Sequence, residues 1–132
     1  MNATDRLTPE LLRKQRTIAL ETRKRDGTWV TTPVSVVVDE DGRVYFRTYD
    51  AAGKHKRLRH DPHVRVAPAT RLRGRPTGPA VDGTARLVTG ADEDRARDLL
   101  AAKYAVLQRR LVPWMHRNRG WATVHYELSL DA

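Results

Sequence analysis

The fold of this chain is indicated by the stretch from Trp29 to Thr48, which reads WVTTPVSVVVDEDGRVYFRT. β-Branched residues dominate its first half and predict a long strand over Trp29–Val38. Within that strand Pro33 marks an edge or a bulge, because proline cannot donate to a sheet ladder. Asp39–Gly42 has the composition of a tight turn, and Arg43–Thr48 returns as a second strand. The stretch therefore predicts a β-meander.

The segments on either side extend this pattern. Thr17–Thr22 alternates like a strand, and Arg25–Thr28 supplies the turn that joins it to the meander. Upstream, Thr8 and Pro9 have the residue types of a helix start, and the leucines that follow are expected to face a core. The following leucines are Leu11 and Leu12, and Leu7, just before the cap, is expected to face the core with them.

Downstream of the meander the sequence alternates between helical and strand patterns. Lys54–His60 predicts a short helix, because Asp61-Pro62 prevents its continuation. The remaining expected elements are a strand over His63–Ala69, a loop over Arg71–Pro79, a strand over Val81–Thr89, helices over Ala91–Leu107 and Leu111–Arg119, and a strand over Trp121–Leu130. Strands joined by short turns predict a mainly β fold, a small antiparallel barrel with helices outside and a single domain over 1–132.

Composition excludes several classes of protein. The chain has 132 residues, 25 Lys+Arg, 16 Asp+Glu and a net charge of +9, which favours an anionic partner. It has no cysteine, so disulfide scaffolds, thiolate metal sites and cysteine nucleophiles are excluded. We expect a cytoplasmic protein with no membrane segment, because no apolar run is long enough to span a bilayer and the start is not a signal peptide.

The positive charge is concentrated in one segment. Lys54 follows Gly53 at the predicted start of a helix, where backbone N–H groups, the helix dipole and an ammonium group can converge on one phosphate. Arg57 lies three residues on, which places it on the same helical face. The other cations of the segment are Lys56, Arg59, Arg65, Arg71, Arg73 and Arg75. The alternative is a solvated charge run that aids only solubility.

Other candidate groups favour structural roles. The five histidines lack a spacing typical of a metal site, although His60 and His63 flank Asp61-Pro62. The acidic residues Asp39–Asp41 are interpreted as a solvated hairpin turn. The large aromatic residues are expected in the core or at its rim, namely Trp29, Trp114, Trp121, Tyr45, Phe46 and Tyr126. The histidine spacing therefore predicts no metal, and because no nucleophile motif is present, no catalytic residue is assigned.

The order of these segments resembles the pyridoxamine 5′-phosphate oxidase-like split β-barrel family from Leu11 to Leu130. The resemblance rests on Thr22–Val34, Val44–Thr48, Gly53–Arg59 and Asp61–Val64. Further segments are similar to a narrower actinobacterial branch that uses the deazaflavin coenzyme F420 rather than FMN, namely Ala67-Pro68, Gly74–Gly78, Gly83–Arg86 and Ala102-Lys103-Tyr104.

This resemblance implies a homodimeric split barrel with two cofactor sites at the subunit interface. Lys54 and Arg57 would hold the cofactor phosphate, with Thr48 near it at a strand end. Val30, Thr31, Thr32 and Pro33 would run beneath the ring system, and Arg71, Arg73 and Arg75 would meet an acidic tail. Ala52 departs from the family, which often has serine there, and the missing hydroxyl removes a hydrogen bond of about 0.5–1.5 kcal/mol.

The function expected from the resemblance is an oxidoreductase in which reduced deazaflavin transfers hydride to a small organic acceptor. One alternative keeps the barrel and exchanges the cofactor for FMN, as an oxidase or a flavin-binding protein. A second alternative is a non-enzymatic basic barrel that binds nucleic acid, which would need exposed aromatic side chains for stacking, and only 6% of the chain is aromatic.

Overall fold

A closed antiparallel barrel forms the centre of the computed structural model, which describes residues 7–70, 75–105 and 122–131. Around the barrel the strand order is β1-β2-β3-β6-β5-β4. The elements are α1 (Pro9–Arg13), β1 (Thr17–Arg23), β2 (Trp29–Val38), β3 (Val44–Tyr49), α2 (Gly53–His60), β4 (His63–Pro68), β5 (Val81–Leu87), α3 (Gly90–Lys103) and β6 (Thr123–Leu130). The predicted mainly β barrel with outer helices is confirmed. The helix expected over Leu111–Arg119 lies outside the described residues.

Alternate residues of each strand fill the barrel. Val34 and Val36 of β2 point inward beside Ile18 and Leu20 of β1, as the period of two in a strand requires. Phe46 of β3 stacks on Tyr126 of β6, with ring centroids 5.3 Å apart and planes 8° from parallel. Full burial of such side chains stabilises the fold by roughly 1.5–3 kcal/mol each. The predicted core positions of Tyr45, Phe46 and Tyr126 are confirmed.

The barrel is split between β2 and β3. β2 pairs with β1 from Trp29 to Ser35, but it pairs with β3 only over Val36–Val38. The rest of β3 pairs with β6, from Val44↔Leu128 to Tyr49↔Thr123. Pro33 therefore lies where β2 has no β3 partner, which confirms the predicted edge and explains why proline is tolerated there.

Two helices complete the barrel. α2 packs on β1 and β3, where Leu58 joins the barrel core and His55 Nδ1 lies 2.6 Å from the hydroxyl of Tyr126. On the outer surface, α3 buries Ala96 and Leu100 in a second cluster, whose other members are Val37, Tyr45, Val88 and Tyr104. The first turn of α2, with Lys54, and the last turn of α3, with Lys103, both lie close to the opening between β2 and β3.

Two expectations differ from the structure. Leu11 is 42% exposed, because the short helix α1 turns only Leu12 of its own residues into the core, next to Leu7. Asp39 is only 2% exposed rather than solvated. Its carboxylate accepts hydrogen bonds from the backbone N–H groups of Asp41 (2.9 Å) and Arg43 (2.8 Å), and Arg95 lies 3.3 Å away. Asp39 therefore closes the turn through these hydrogen bonds, whereas the side chains of Glu40 and Asp41 are exposed to solvent.

No helix in residues 7–70, 75–105 and 122–131 is long and apolar enough to cross a membrane.

Candidate functional site

A cavity of about 240 Å³ lies where β2 and β3 separate, and we call it the split cavity. One wall comes from β2 and the other from β3, while the first turn of α2 and the start of β6 close it. The lining residues are Pro33, Val34 and Ser35 of β2, Arg47, Thr48 and Tyr49 of β3, Lys54 of α2 and Thr123 of β6. The cavity is thus formed by the separation of β2 from β3.

The split cavity is electrostatically positive. Its described lining contains two cations, Arg47 and Lys54, and no carboxylate. Lys54 is largely buried, and within the described part of the chain no hydrogen bond or ion pair engages its ammonium group. Burial, and to a smaller extent the nearby charge of Arg57, lower the pKa of Lys54. A bound anion would relieve both effects, so the cavity favours a negatively charged ligand.

Hydroxyl groups surround the two cations. Ser35, Thr48, Tyr49 and Thr123 all line the split cavity, and hydroxyls donate readily to phosphate oxygens. The positive end of the α2 dipole also lies here, since Lys54 is the second residue of that helix. Cations, hydroxyls and a helix start are the groups with which proteins hold phosphate.

Arg57 lines a neighbouring groove rather than the split cavity. Its Nε donates to Oγ1 of Thr22 at 2.6 Å, and its guanidinium lies over Gly53. The groove has a volume of about 420 Å³, and we call it the basic groove; it is lined by Arg23, Lys24, Arg25, Gly53, Lys56, Arg57 and His60. Lys54 and Arg57 thus flank Gly53 and face adjacent cavities.

The wall of the basic groove is held by an ion pair beneath it. Arg23 contacts Oδ2 of Asp61 through Nε and Nη2, each at 2.7 Å. Hydrogen bonds from the backbone and ring of His63, together with that from Arg23, lower the pKa of Asp61 to about 2. Asp61 and His63 therefore support the groove, and the described residues contain no group of three side chains suited to a metal ion.

The other residues predicted for the site are distributed unevenly. Pro33 and Thr48 line the split cavity, whereas Val30, Thr31 and Thr32 lie further along β2, outside it. Oγ1 of Thr32 is buried with no hydrogen-bond partner among the described residues. Arg75 is exposed, and its backbone is held by hydrogen bonds to Thr70. Arg71 and Arg73 lie outside the described residues.

Sequence reasoning missed Ser35, Arg47, Tyr49 and Thr123. A signal was available for Arg47, which is the only charged residue of β3. Thr123 enters the site only because it is the cross-strand partner of Tyr49, a pairing between distant parts of the chain.

Comparison with known proteins places this architecture in a family. The family model described as pyridoxamine 5′-phosphate oxidase matches residues 6–122. The chain belongs to the pyridoxamine 5′-phosphate oxidase family. The six-stranded barrel with flanking helices fits the split barrel of this family. A search of curated proteins finds no match.

Several solved structures match almost the whole chain. The protein Atu2129 of unknown function from Agrobacterium tumefaciens has a TM-score of 0.71 and 19% identity, over 95% of this chain and 52% of that one. This chain therefore spans about half the length of that neighbour. A FAD-binding protein from Mesorhizobium loti has a TM-score of 0.61 and 15% identity, over 100% and 91% of the two chains. HutZ, the heme storage protein from Vibrio cholerae, has a TM-score of 0.61 and 13% identity, over 93% and 87%. At these identities the neighbours support the fold alone.

Proposed function

We propose that this family member binds a phosphate-bearing flavin-type cofactor in the split cavity, and that the cofactor is the deazaflavin coenzyme F420. The observation that carries the proposal is that two cations, Arg47 and Lys54, line one cavity whose described lining has no carboxylate. Flavin-type binding is in keeping with the family and with the FAD-binding neighbour.

The residues of the split cavity fit the phosphate end of such a cofactor. Lys54 supplies a largely buried ammonium group, and Arg47 supplies a guanidinium that can bind two phosphate oxygens at once. The hydroxyls of Ser35 and Thr48 lie on opposite walls, so they can donate to a phosphate from both sides. Charge-assisted hydrogen bonds of this kind contribute about 1.5–3 kcal/mol each.

The remainder of the cofactor would extend along β2. A cavity of about 240 Å³ is smaller than the roughly 300–1,000 Å³ typical of pockets that enclose a whole ligand. The ring system would therefore lie against Val30–Pro33, where the unpaired edge of β2 offers backbone groups and the buried hydroxyl of Thr32 needs a partner. A second copy of the chain would cover the open side, so the proposal includes a homodimer.

Charge favours the deazaflavin over FMN. Coenzyme F420 carries an acidic tail beyond its phosphate, and FMN has no such tail. The basic groove supplies a row of cations next to the split cavity, and Arg75 is a further exposed cation. The tail would bind these residues together with Arg71 and Arg73. FMN would leave most of this positive surface without a counter-charge.

The bound cofactor would supply hydride transfer to a small organic acceptor. The chain's own residues would hold the phosphate, fix the ring against β2 and keep positive charge near the anionic end of the molecule. No protein nucleophile is needed for this chemistry, and no side chain is assigned as the proton donor.

The nucleic-acid alternative gains no support from the structure. Trp29 is only partly buried, but Arg23 and Arg65 lie over its ring, 5.3 Å and 4.3 Å from the centroid. Tyr45, Phe46 and Tyr126 are buried. Of the described aromatic residues only Trp29 and Tyr49 are not buried, so these residues offer no row of aromatic platforms on which successive bases could stack.

Binding of the two cofactors tests the proposal directly. Fluorescence polarisation of oxidised F420, and quenching of FMN fluorescence, should show tighter binding of F420 to the purified protein. Lys54→Ala and Arg47→Ala should each weaken F420 binding about tenfold or more. Arg59→Ala is the matched control, because Arg59 is a cation of the same helix that lines neither cavity.

Each other outcome has a definite meaning. A yellow preparation with a flavin spectrum, or tighter binding of FMN, would overturn the assignment of F420 in favour of the FMN alternative. Salt-dependent binding of oligonucleotides with no binding of either cofactor would overturn the flavin-type function altogether. If F420 binds, its reduced form can then be screened against small organic acceptors.

A further inference from the structure

Tyr104, at the end of α3, contacts both sides of the opening between β2 and β3. Its hydroxyl accepts a hydrogen bond from the backbone N–H of Val36 at 3.0 Å and lies 2.8 Å from the carbonyl oxygen of the same residue. Its ring faces Arg47, whose guanidinium carbon is 5.9 Å from the ring centroid. Val36 directly follows Ser35 of one cavity wall, and Arg47 belongs to the other wall.

The hydroxyl of Tyr104 takes the place of strand pairing just beyond the point where the pairing of β1 with β2 ends. The pairing of β1 with β2 stops at Thr17↔Ser35, and one step further Arg16 would oppose Val36. Instead, the hydroxyl of Tyr104 lies between these two residues and also contacts the carbonyl oxygen of Arg16. The side chain thus supplies the hydrogen bonds that an additional residue of β1 would have made.

The neighbouring lysine strengthens the same attachment. Nζ of Lys103 donates to the carbonyl oxygens of Gln15 and Val36, each at 2.7 Å. Val36 is also the first residue of β2 that pairs with β3, opposite Phe46. The end of α3 therefore fixes β2 at the point where the split begins.

We propose that Tyr104 is a positioning residue that sets the separation of Ser35 and Arg47, and through it the affinity of the split cavity for a phosphate-bearing ligand. Tyr104 itself does not line the cavity. The hydroxyl holds the β2 wall and the ring supports the Arg47 side chain, so one residue couples the two walls. The affinity part of this inference rests on the proposed function, whereas the positioning part does not.

Hydrogen exchange of the ligand-free protein tests the positioning part. Tyr104→Phe keeps the ring and removes the hydroxyl, so peptides that contain Pro33–Val36 should exchange faster than in the wild type. Tyr45→Phe is the matched control, because it removes a buried hydroxyl from the same cluster without altering a contact to Val36. Equal exchange in the two variants would overturn the proposal. If Tyr104→Phe does not fold, Lys103→Met is used in its place. This variant removes the hydrogen bond from Lys103 to the same carbonyl oxygen of Val36, and it should also speed exchange in Pro33–Val36.

A double-mutant cycle tests the affinity part, with F420 and FMN as the probes. Tyr104→Phe should weaken binding about three- to tenfold, as expected for the loss of one hydrogen bond. In the background of Arg47→Gln the same change should have less than half that effect, because the separation of the walls matters only while Arg47 binds the ligand. If Tyr104→Phe weakened binding equally in the wild-type and Arg47→Gln backgrounds, Tyr104 would not act through Arg47, and the affinity part of the proposal would be wrong. If the wild type binds neither probe, the proposed function fails, and the exchange experiment still decides whether Tyr104 positions β2.

Discussion

Arg57 donates its Nε–H to the hydroxyl of Thr22 at 2.6 Å, and this bond joins α2 to β1 across the end of the barrel. Thr22 is fully buried, so the acceptor is fixed by the core. The guanidinium is thereby held over Gly53, with its Nη atoms beside the basic groove. Arg57 is consequently a preorganised cation rather than a mobile one, and its placement depends on a glycine.

Gly53→Ala should displace Arg57 with little loss of stability. A Cβ atom at Gly53 would lie 2.8 Å from Nη1 of Arg57, and the flexible side chain can move away. We expect the free energy of unfolding to change by less than about 1 kcal/mol, while binding of F420 weakens several-fold. Urea denaturation and fluorescence polarisation measure the two effects.

Gly83→Ala provides the contrast. Its Cβ would lie 2.6 Å from the backbone carbonyl oxygen of Ser129, which the paired strands β5 and β6 hold in place. This variant should lose about 1–3 kcal/mol of stability. If Gly53→Ala proved equally destabilising, the Arg57 side chain would not have moved away from the added Cβ atom, and this expectation for Gly53 would be wrong.

Ala52→Ser should stabilise α2. Ala52 is the N-cap of this helix, with an extended backbone (φ −73°, ψ 145°) and no side-chain hydrogen bond. A serine hydroxyl there can accept from a free N–H of the first turn, which typically contributes about 1 kcal/mol. We expect a higher melting temperature and tighter binding of F420. Ala51→Ser, one residue outside the cap, should change neither; equal effects of the two substitutions would contradict the capping argument.

His55 should make the protein less stable in mild acid. Burial lowers the pKa of His55 and raises the pKa of Tyr126 to about 12, so a neutral imidazole and a neutral phenol share the hydrogen bond between them. Below pH 6.5 the unfolded chain takes up a proton that the folded chain resists. Stability should therefore fall with decreasing pH, by at most about 1.4 kcal/mol per pH unit from this group.

His55→Gln tests this origin of the acid sensitivity. Glutamine can hydrogen-bond to Tyr126 as donor or acceptor but does not titrate, so the slope of unfolding free energy between pH 7 and 5 should become smaller. Some slope should remain, because burial also lowers the pKa of His125. Parallel curves for the wild type and the variant would show that His55 is not responsible.

The sequence predicted most of the fold because the patterns that indicate strands, turns and helix ends involve residues that are adjacent in the chain. The alternation in Trp29–Val38, the break imposed by Pro62 and the turn at Asp39–Gly42 all depend on a few adjacent residues. Pro33 even indicated that β2 has an unpaired edge, which is where the split cavity lies. Lys54 was identified for the same reason, since it lies in the first turn of α2, whose position the neighbouring residues predict.

The rest of the site depends on contacts between distant segments. Helical spacing placed Arg57 with Lys54, but it could not show that Thr22, 35 residues earlier, would direct Arg57 into the basic groove. Likewise, Arg47 and Thr123 line the cavity only through the pairing of β3 with β6 and the separation of β3 from β2. Periodicity reports which face a residue takes, but not which strand lies beside it.

The phosphate preference of the split cavity is the central claim, and one comparison of affinities tests it most directly. Fluorescence polarisation would give the Kd of the wild type and of Lys54→Ala for F420 and for the deazaflavin core that lacks the phosphate and the tail. We predict that the wild type binds F420 at least about a hundredfold more tightly than the core, because the phosphate gains charge-assisted hydrogen bonds. In Lys54→Ala that preference should fall about tenfold or more, while binding of the core stays unchanged. Equal affinity of the wild type for both compounds would contradict the account.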